Sequence, residues 1–172
     1  SIARKITRSA KCAVLLLVKP SVERIPCQHI VVSGIENSDK TVYAALYISD
    51  KLSAEQVTIV EEISQQEVAV TIEDDKSLRK ANLAKERIRL RENSRIAQLL
   101  QTFPKELTQG VVIKSQPIFG KRGYSIGHYA EVVRADLLII NSPNKMSFWD
   151  RLFPHDIEHI LTELPTDVLI LK

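Results

Sequence analysis

The chain has 172 residues, 44% of them hydrophobic and 26% charged, with a net charge of +3 and two cysteines. That is apolar material for one domain with a sizeable core and too little chain for two. The longest apolar runs, "CAVLLLV" and "DLLII", fall far short of the roughly 20 residues that cross a bilayer, no signal peptide stands at the front, and Cys12 and Cys27 make neither a disulfide framework nor a ligand spacing. A cytoplasmic domain with reduced thiols is expected, and its start at Ser1 rather than Met is consistent with a piece of a longer protein.

The first segment, "ARKITRSAKCAVLLLVK" (3–19), reads as a short helix, a turn and an apolar strand closed by lysine. "HIVVS" (29–33) is a strand ended by Gly34, and "NSDKTVYAALYISDKL" places Val42, Ala45, Leu46, Ser49 and Leu52 at helical spacing. "QVTIVEE" (56–62) is a second strand of the domain, and the alternation in "EVAVTIE" (67–73) predicts a third or an extension of it. Asp74 and Asp75 favour the N-terminus of a long helix that runs to about Gln101 with Ala81, Ala84, Ile88, Ile96 and Leu99 on one side. Gly110 precedes the strand "VVIKS", a helix begins at about Ser125, and 136–141 is a strand without alternation, hence buried on both faces. Helix 155–163 and strand 167–172 close the chain. Strands alternating with helices predict an α/β fold, a doubly wound parallel sheet with helices on both faces.

The two ends repeat each other: "IEHILTELPTDVLILK" (157–172) has the same helix, turn and lysine-closed strand as residues 3–19. Residues 1–20 are therefore expected to be the closing unit of a preceding or swapped copy of the domain at 27–172.

Chemical motifs are sparse. His155, Glu158 and His159 match H-x-x-E-H, which would put two imidazoles and a carboxylate on one helical face, yet no third ligand is placed by the sequence, and a polar helix face is the simpler reading; no metal is expected. No nucleophile elbow occurs, and the pairs Glu61/Glu62 and Asp74/Asp75 read as a strand end and a helix start rather than as acid/base pairs. Met146, Phe148 and Trp149 read as loop packing or a dimer contact, with an apolar lid over a ligand as the alternative. Eight Lys or Arg lie between Lys76 and Arg95 against Glu86 and Glu92. This reads first as a solvated helix face and second as a surface for an anionic partner; with no interleaved aromatic, nucleic acid is not expected.

Four features in order resemble a universal stress protein domain: the strand and helix of "HIVVSGIENSDKTVYAALYISDKL", the Ala-Asp pair opening a strand in "HYAEVVRADLLIIN", the closing unit "HDIEHILTELPTDVLIL", and the similar unit at 3–18. The resemblance implies a flavodoxin-like (Rossmann-like) fold with five main strands in the order 3-2-1-4-5 and, in one branch of the family, ATP binding. Nucleotide-binding members carry Gly-x-x-Gly and, further on, Gly-Ser or Gly-Thr after the fourth strand. Those places fall on Asn141, Asn144, Pro154 and His155 here, and no glycine follows Gly127. Side chains stand where a phosphate needs bare backbone, and Pro154 lacks an N–H. The resemblance thus implies a non-enzymatic domain without cofactor that acts through regulation and protein interaction. Its settings would be a homodimer, a tandem with a sister domain, or the cytoplasmic tail of a membrane transporter such as a cation/proton antiporter or permease. The alternative is an ATP- or AMP-binding stress protein, with ATP hydrolysis as its one enzymatic possibility, using Ser33, Gly34, Ile35, Asn141, Ser142, Asn144, Lys145 and His155. A third reading is an anionic-surface binder acting through the basic helix.

Overall fold

Five apolar strands lie parallel: β2 (His29–Ser33), β3 (Gln56–Ile63), β4 (Val112–Phe119), β5 (Leu137–Asn141) and β6 (Asp167–Leu171). A sixth, β1 (Val14–Leu16), runs antiparallel to β6 at the sheet edge. This computed structural model describes residues 2–18, 20–23, 25–34, 38–68, 70–121, 123–142 and 157–172. The strand order is β1-β6-β5-β2-β3-β4, so the five parallel strands, counted from β2, have the expected order 3-2-1-4-5. The additional edge strand comes from the N-terminal unit.

The helices are α1 (Ile2–Ser9), α2 (Ser38–Leu52), α3 (Asp75–Gln101), α4 (Lys105–Thr108), α5 (Ser125–Val132) and α6 (Ile157–Thr162). Successive residues of β2 feed opposite faces. Ile30 and Val32 pack with Val42, Ala45 and Leu46 of α2 and Ile96 of α3, whereas Val31 packs with Ile126 and Ala130 of α5 and Ile160 and Leu161 of α6. Both faces are covered, and for that reason the central strands read as unbroken apolar runs.

Local chemistry sets the boundaries. Asp74 caps α3: its carboxylate accepts from the Ser77 N–H at 2.7 Å while the Ser77 hydroxyl accepts from the Asp74 N–H at 2.9 Å, which satisfies two otherwise orphaned donors. Asp136, of the Ala-Asp pair, accepts from the N–H groups of Gln28 and His29 at 2.8 and 2.9 Å and so clamps the start of β5 to the start of β2. Asp167 does the same for the N-terminal unit, accepting from the Val18 N–H at 2.8 Å.

Among the described residues of 67–73 the expected strand is absent. A 3-10 turn, Gln65–Val68, follows β3 instead, with the Glu67 N–H bonded to the Ser64 carbonyl. The reason is topological: β2 stops pairing at Ser33 opposite Val60, and β4 ends at Phe119 opposite Ile63, so an extension of β3 would find no strand beside it, and Val68 is buried against Ala81 and Ile88 of α3 instead. Strand β4 runs further than "VVIKS", through Pro117 to Phe119. As the outer strand it tolerates a residue without an N–H.

Candidate functional site

In an open α/β sheet ligands gather beyond the carboxyl ends of the strands where the strand order reverses, here between β2 and β5. The pairing of Val32 with Ile139 brings Ser33 and Gly34 level with Ile140 and Asn141. The Gly34 N–H continues the ladder to Val60 at 2.8 Å. A Cβ at Gly34 would lie 2.6 Å from Glu61 Oε1 and 3.0 Å from Ile59 Cγ2, so the glycine is there for close approach of the Glu61 side chain.

Glu61 belongs to an ion network that closes over this position. Arg95 of α3 pairs with Glu61, donates through Nε to Glu92 at 2.9 Å, and reaches the Gly34 carbonyl at 3.2 Å and the Ser38 hydroxyl at 3.1 Å. Arg91 donates to the other oxygen of Glu92 at 2.9 Å. Glu61 and Glu92 are each 8% exposed, and desolvation pulls the Arg95 pKa below its ordinary value. The next residue, Glu62, points to the opposite face, as strand geometry requires, and accepts from the N–H groups of Gly123 and Ile126 at 2.8 and 2.7 Å. The N-terminus of α5, a natural seat for an anion, is thus taken by the protein's own carboxylate.

Of the eight residues named from the sequence, the fold brings Ser33, Gly34 and Asn141 to the ends of adjacent strands. Ser142 is drawn to the other side: its N–H bonds the Leu171 carbonyl at 2.7 Å, and its hydroxyl accepts from Lys172, whose ammonium also bonds the Thr7 carbonyl in α1. Ile35, Asn144, Lys145 and His155 lie outside the described residues, as do Met146, Phe148, Trp149 and the side chains of Glu158 and His159. Among the described residues no group of three His, Cys, Asp or Glu is arranged to hold a metal ion, and no helix is long and apolar enough to cross a membrane. His29 is a structural histidine. Its Nε2 lies 2.8 Å from Thr58 Oγ1 and 3.0 Å from Gln56 Nε2, and burial lowers its pKa.

Arg95, Glu61 and Glu92 escaped the sequence reading. One signal was available: Glu92 falls in the buried stripe of α3, between Ile88 and Ile96, and a carboxylate there needs a cation.

No protein-family model matches the chain, and no curated protein matches it in sequence. Solved structures do match it. A universal stress protein in complex with cAMP superposes with a TM-score of 0.54 at 20% identity, over 86% of this chain and 98% of its own. UspA from Lactobacillus plantarum gives 0.58 at 12% identity, over 87% and 100%. A universal stress protein from Archaeoglobus fulgidus gives 0.63 at 15% identity and covers all of this chain, which spans 54% of that protein. Likeness at these identities is likeness of architecture, and the chain has the fold of the universal stress proteins.

Proposed function

We propose that this chain is a non-enzymatic universal stress protein domain that works through protein interaction, joined to a preceding copy of the same fold. The observation that carries the reading is the pairing of β1 with β6. Aligning Val14, Leu15, Leu16 and Leu17 with Val168, Leu169, Ile170 and Leu171 makes the two end units equivalent. Under that equivalence the pairs Val14 with Ile170 and Leu16 with Val168 are one contact seen from its two sides, and Leu15 with Leu169 lies on the axis. Any antiparallel pair has such a local two-fold; the feature that supports the reading is that the axis falls at the centre of the two similar segments, as a two-fold interface between equivalent closing strands requires. The unit leaves apolar side chains exposed: Leu15 and Leu17 are about half exposed, as is Ile6 of α1, and Ile2 more so. A closing strand whose own sheet lies upstream would look the same. The lengths of the matched proteins agree, since the shorter ones cover 86% and 87% of this chain and the longer one covers all of it. A regulatory tail behind a membrane transporter is the second setting in which such a domain would follow another unit.

A truncation beginning at Pro20 tests this. It uncovers the edge of β6, and we expect light scattering to give a dimer through β6 against β6. A truncated chain of unchanged stability and monomeric mass would remove the basis for the reading.

The competing reading, a nucleotide-binding stress protein, is favoured by the solved relative of this fold that holds cAMP. Against it stand Glu61 and Arg95, which fill the crevice beside Gly34, and Glu62, which occupies the α5 amides.

A further inference from the structure

The buried stripe of α3 consists of Ala81, Ile88, Glu92 and Ile96. At 100° per residue, the arc opposite it holds Lys76, Arg79, Leu83, Arg87 and Leu90, with Lys80 at its margin. Leu83 is 61% and Leu90 60% exposed, two side chains one heptad apart that the fold leaves in water. The four cations around them, Lys76, Arg79, Lys80 and Arg87, are exposed and make no ion pair among the described residues. The other cations of the helix are engaged: Arg89 with Glu86, Arg91 with Glu67 and Glu92, Arg95 with Glu61 and Glu92, and Lys85 over the Phe119 ring. Glu86, the acid at the edge of the arc, is held by Arg89 at 3.3 Å. The arc is therefore apolar along its middle and uncompensated in charge along its flanks.

We infer that the outer face of α3 docks, lying flat, on an anionic lipid surface, with Leu83 and Leu90 entering the headgroup boundary and Lys76, Arg79, Lys80 and Arg87 meeting lipid phosphates and carboxylates. Charge complementarity selects an anionic occupant and rules out a second copy of this face, which would set like charges against each other. The leucines select lipid over nucleic acid, since a basic face built for phosphate backbone gains nothing from two aliphatic side chains, whereas an interfacial helix combines both groups. The engaged acid also matters. Glu86, at the edge of the arc, would repel an anionic surface if free, and it is turned into a local ion pair with Arg89 instead.

The test is sedimentation of the 172-residue chain with vesicles of phosphatidylcholine alone or mixed with about one-third phosphatidylserine. We expect binding to the anionic vesicles only, weakened by salt. Two double variants follow: Leu83→Ser with Leu90→Ser should bind about tenfold more weakly, and Arg79→Glu with Arg87→Glu about a hundredfold more weakly. All four positions are exposed, so the melting temperature should not move. Equal binding to neutral vesicles, or anionic binding that neither double variant changes, would overturn the inference. So would binding to duplex DNA that is tighter than to vesicles and indifferent to the leucine changes, or capture of an acidic amphipathic peptide with no vesicle binding.

Discussion

The Arg95 guanidinium donates to the carbonyl of Gly34 at 3.2 Å, joining residues 61 apart in sequence. The contact ties the outermost long helix to the first strand of the domain and places a cation between two buried carboxylates. Replacing Arg95 by Leu would strand Glu61 and Glu92 without their shared partner, and we expect a loss of about 3 kcal/mol, as for other broken, largely buried ion pairs. Arg95→Lys should recover only part of it, because an ammonium cannot reproduce the fork that reaches Glu92, Ser38 and Gly34 together. Urea unfolding of both variants checks the order; a loss under about 1 kcal/mol for Arg95→Leu would mean that water already serves these carboxylates.

His29 sets a pH dependence. Gln56 Nε2 donates toward its Nε2, and Nδ1 is left to bond the Val133 backbone, so the fold suits the neutral imidazole. Burial lowers its pKa first, with Lys114 adding to the effect and Val133 and Asp136 opposing it. The unfolded chain therefore binds the proton more readily, and stability must rise with pH between the lowered folded value and the unfolded value near 6.5. The contribution is complete above that window and is lost as pH falls through it. Melting temperatures between pH about 7.5 and about 5 should fall more steeply for the native chain than for His29→Gln; parallel curves would assign the acid sensitivity elsewhere.

The two thiols should differ in reactivity. Cys12 is exposed, whereas burial, reinforced by Asp136 and Asp167, pushes the Cys27 thiol from 9.0 up to about 11. At pH about 8 this leaves roughly a hundredfold less thiolate than an unshifted cysteine holds. A disulfide reagent should show one fast and one slow thiol, and Cys12→Ser should abolish the fast phase. Two fast thiols would mean that the segment carrying Cys27, just before β2, opens readily.

Mg-ATP should not stabilise the chain. A native-state ligand at ten times its Kd adds about 1.4 kcal/mol, enough to see as a melting shift. The expectation rests on the crevice filled by Glu61 and Arg95 and on Asn141, Asn144 and Pro154 standing where phosphate would need glycine or an amide. A saturable rise with ATP that sulfate does not reproduce and that Lys145→Ala removes would restore the nucleotide-binding reading while leaving the β1 to β6 pairing untouched.

Much of the architecture was legible because its signals are local. The unbroken runs of β2, β5 and β6 are the direct image of a sheet covered on both faces, and Asp74 with Asp75 announces the start of α3. What failed needed tertiary knowledge. The alternation in 67–73 says nothing about whether an edge is free to receive it. Glu61 and Arg95 meet only because β3 and α3 pack together. The inward side of α3 was legible from Ala81, Ile88 and Ile96, but whether another element covers Leu83 and Leu90 on the opposite side is again a matter of tertiary structure.

The two margins of the sheet are unlike. At one, β4 carries Pro117, without a donor, and the exposed charge of Lys114, features that discourage a further strand. At the other, β1 offers aliphatic side chains and no such guard. Growth would therefore be confined to one margin: a copy of this fold that completed it would bring its own proline-bearing strand to the far side, and the enlarged sheet would then end in a guarded strand on both flanks. Such an assembly would stop at a pair, so the exposed Leu15 of β1 and Leu17 just beyond it are compatible with a discrete particle rather than a fibre.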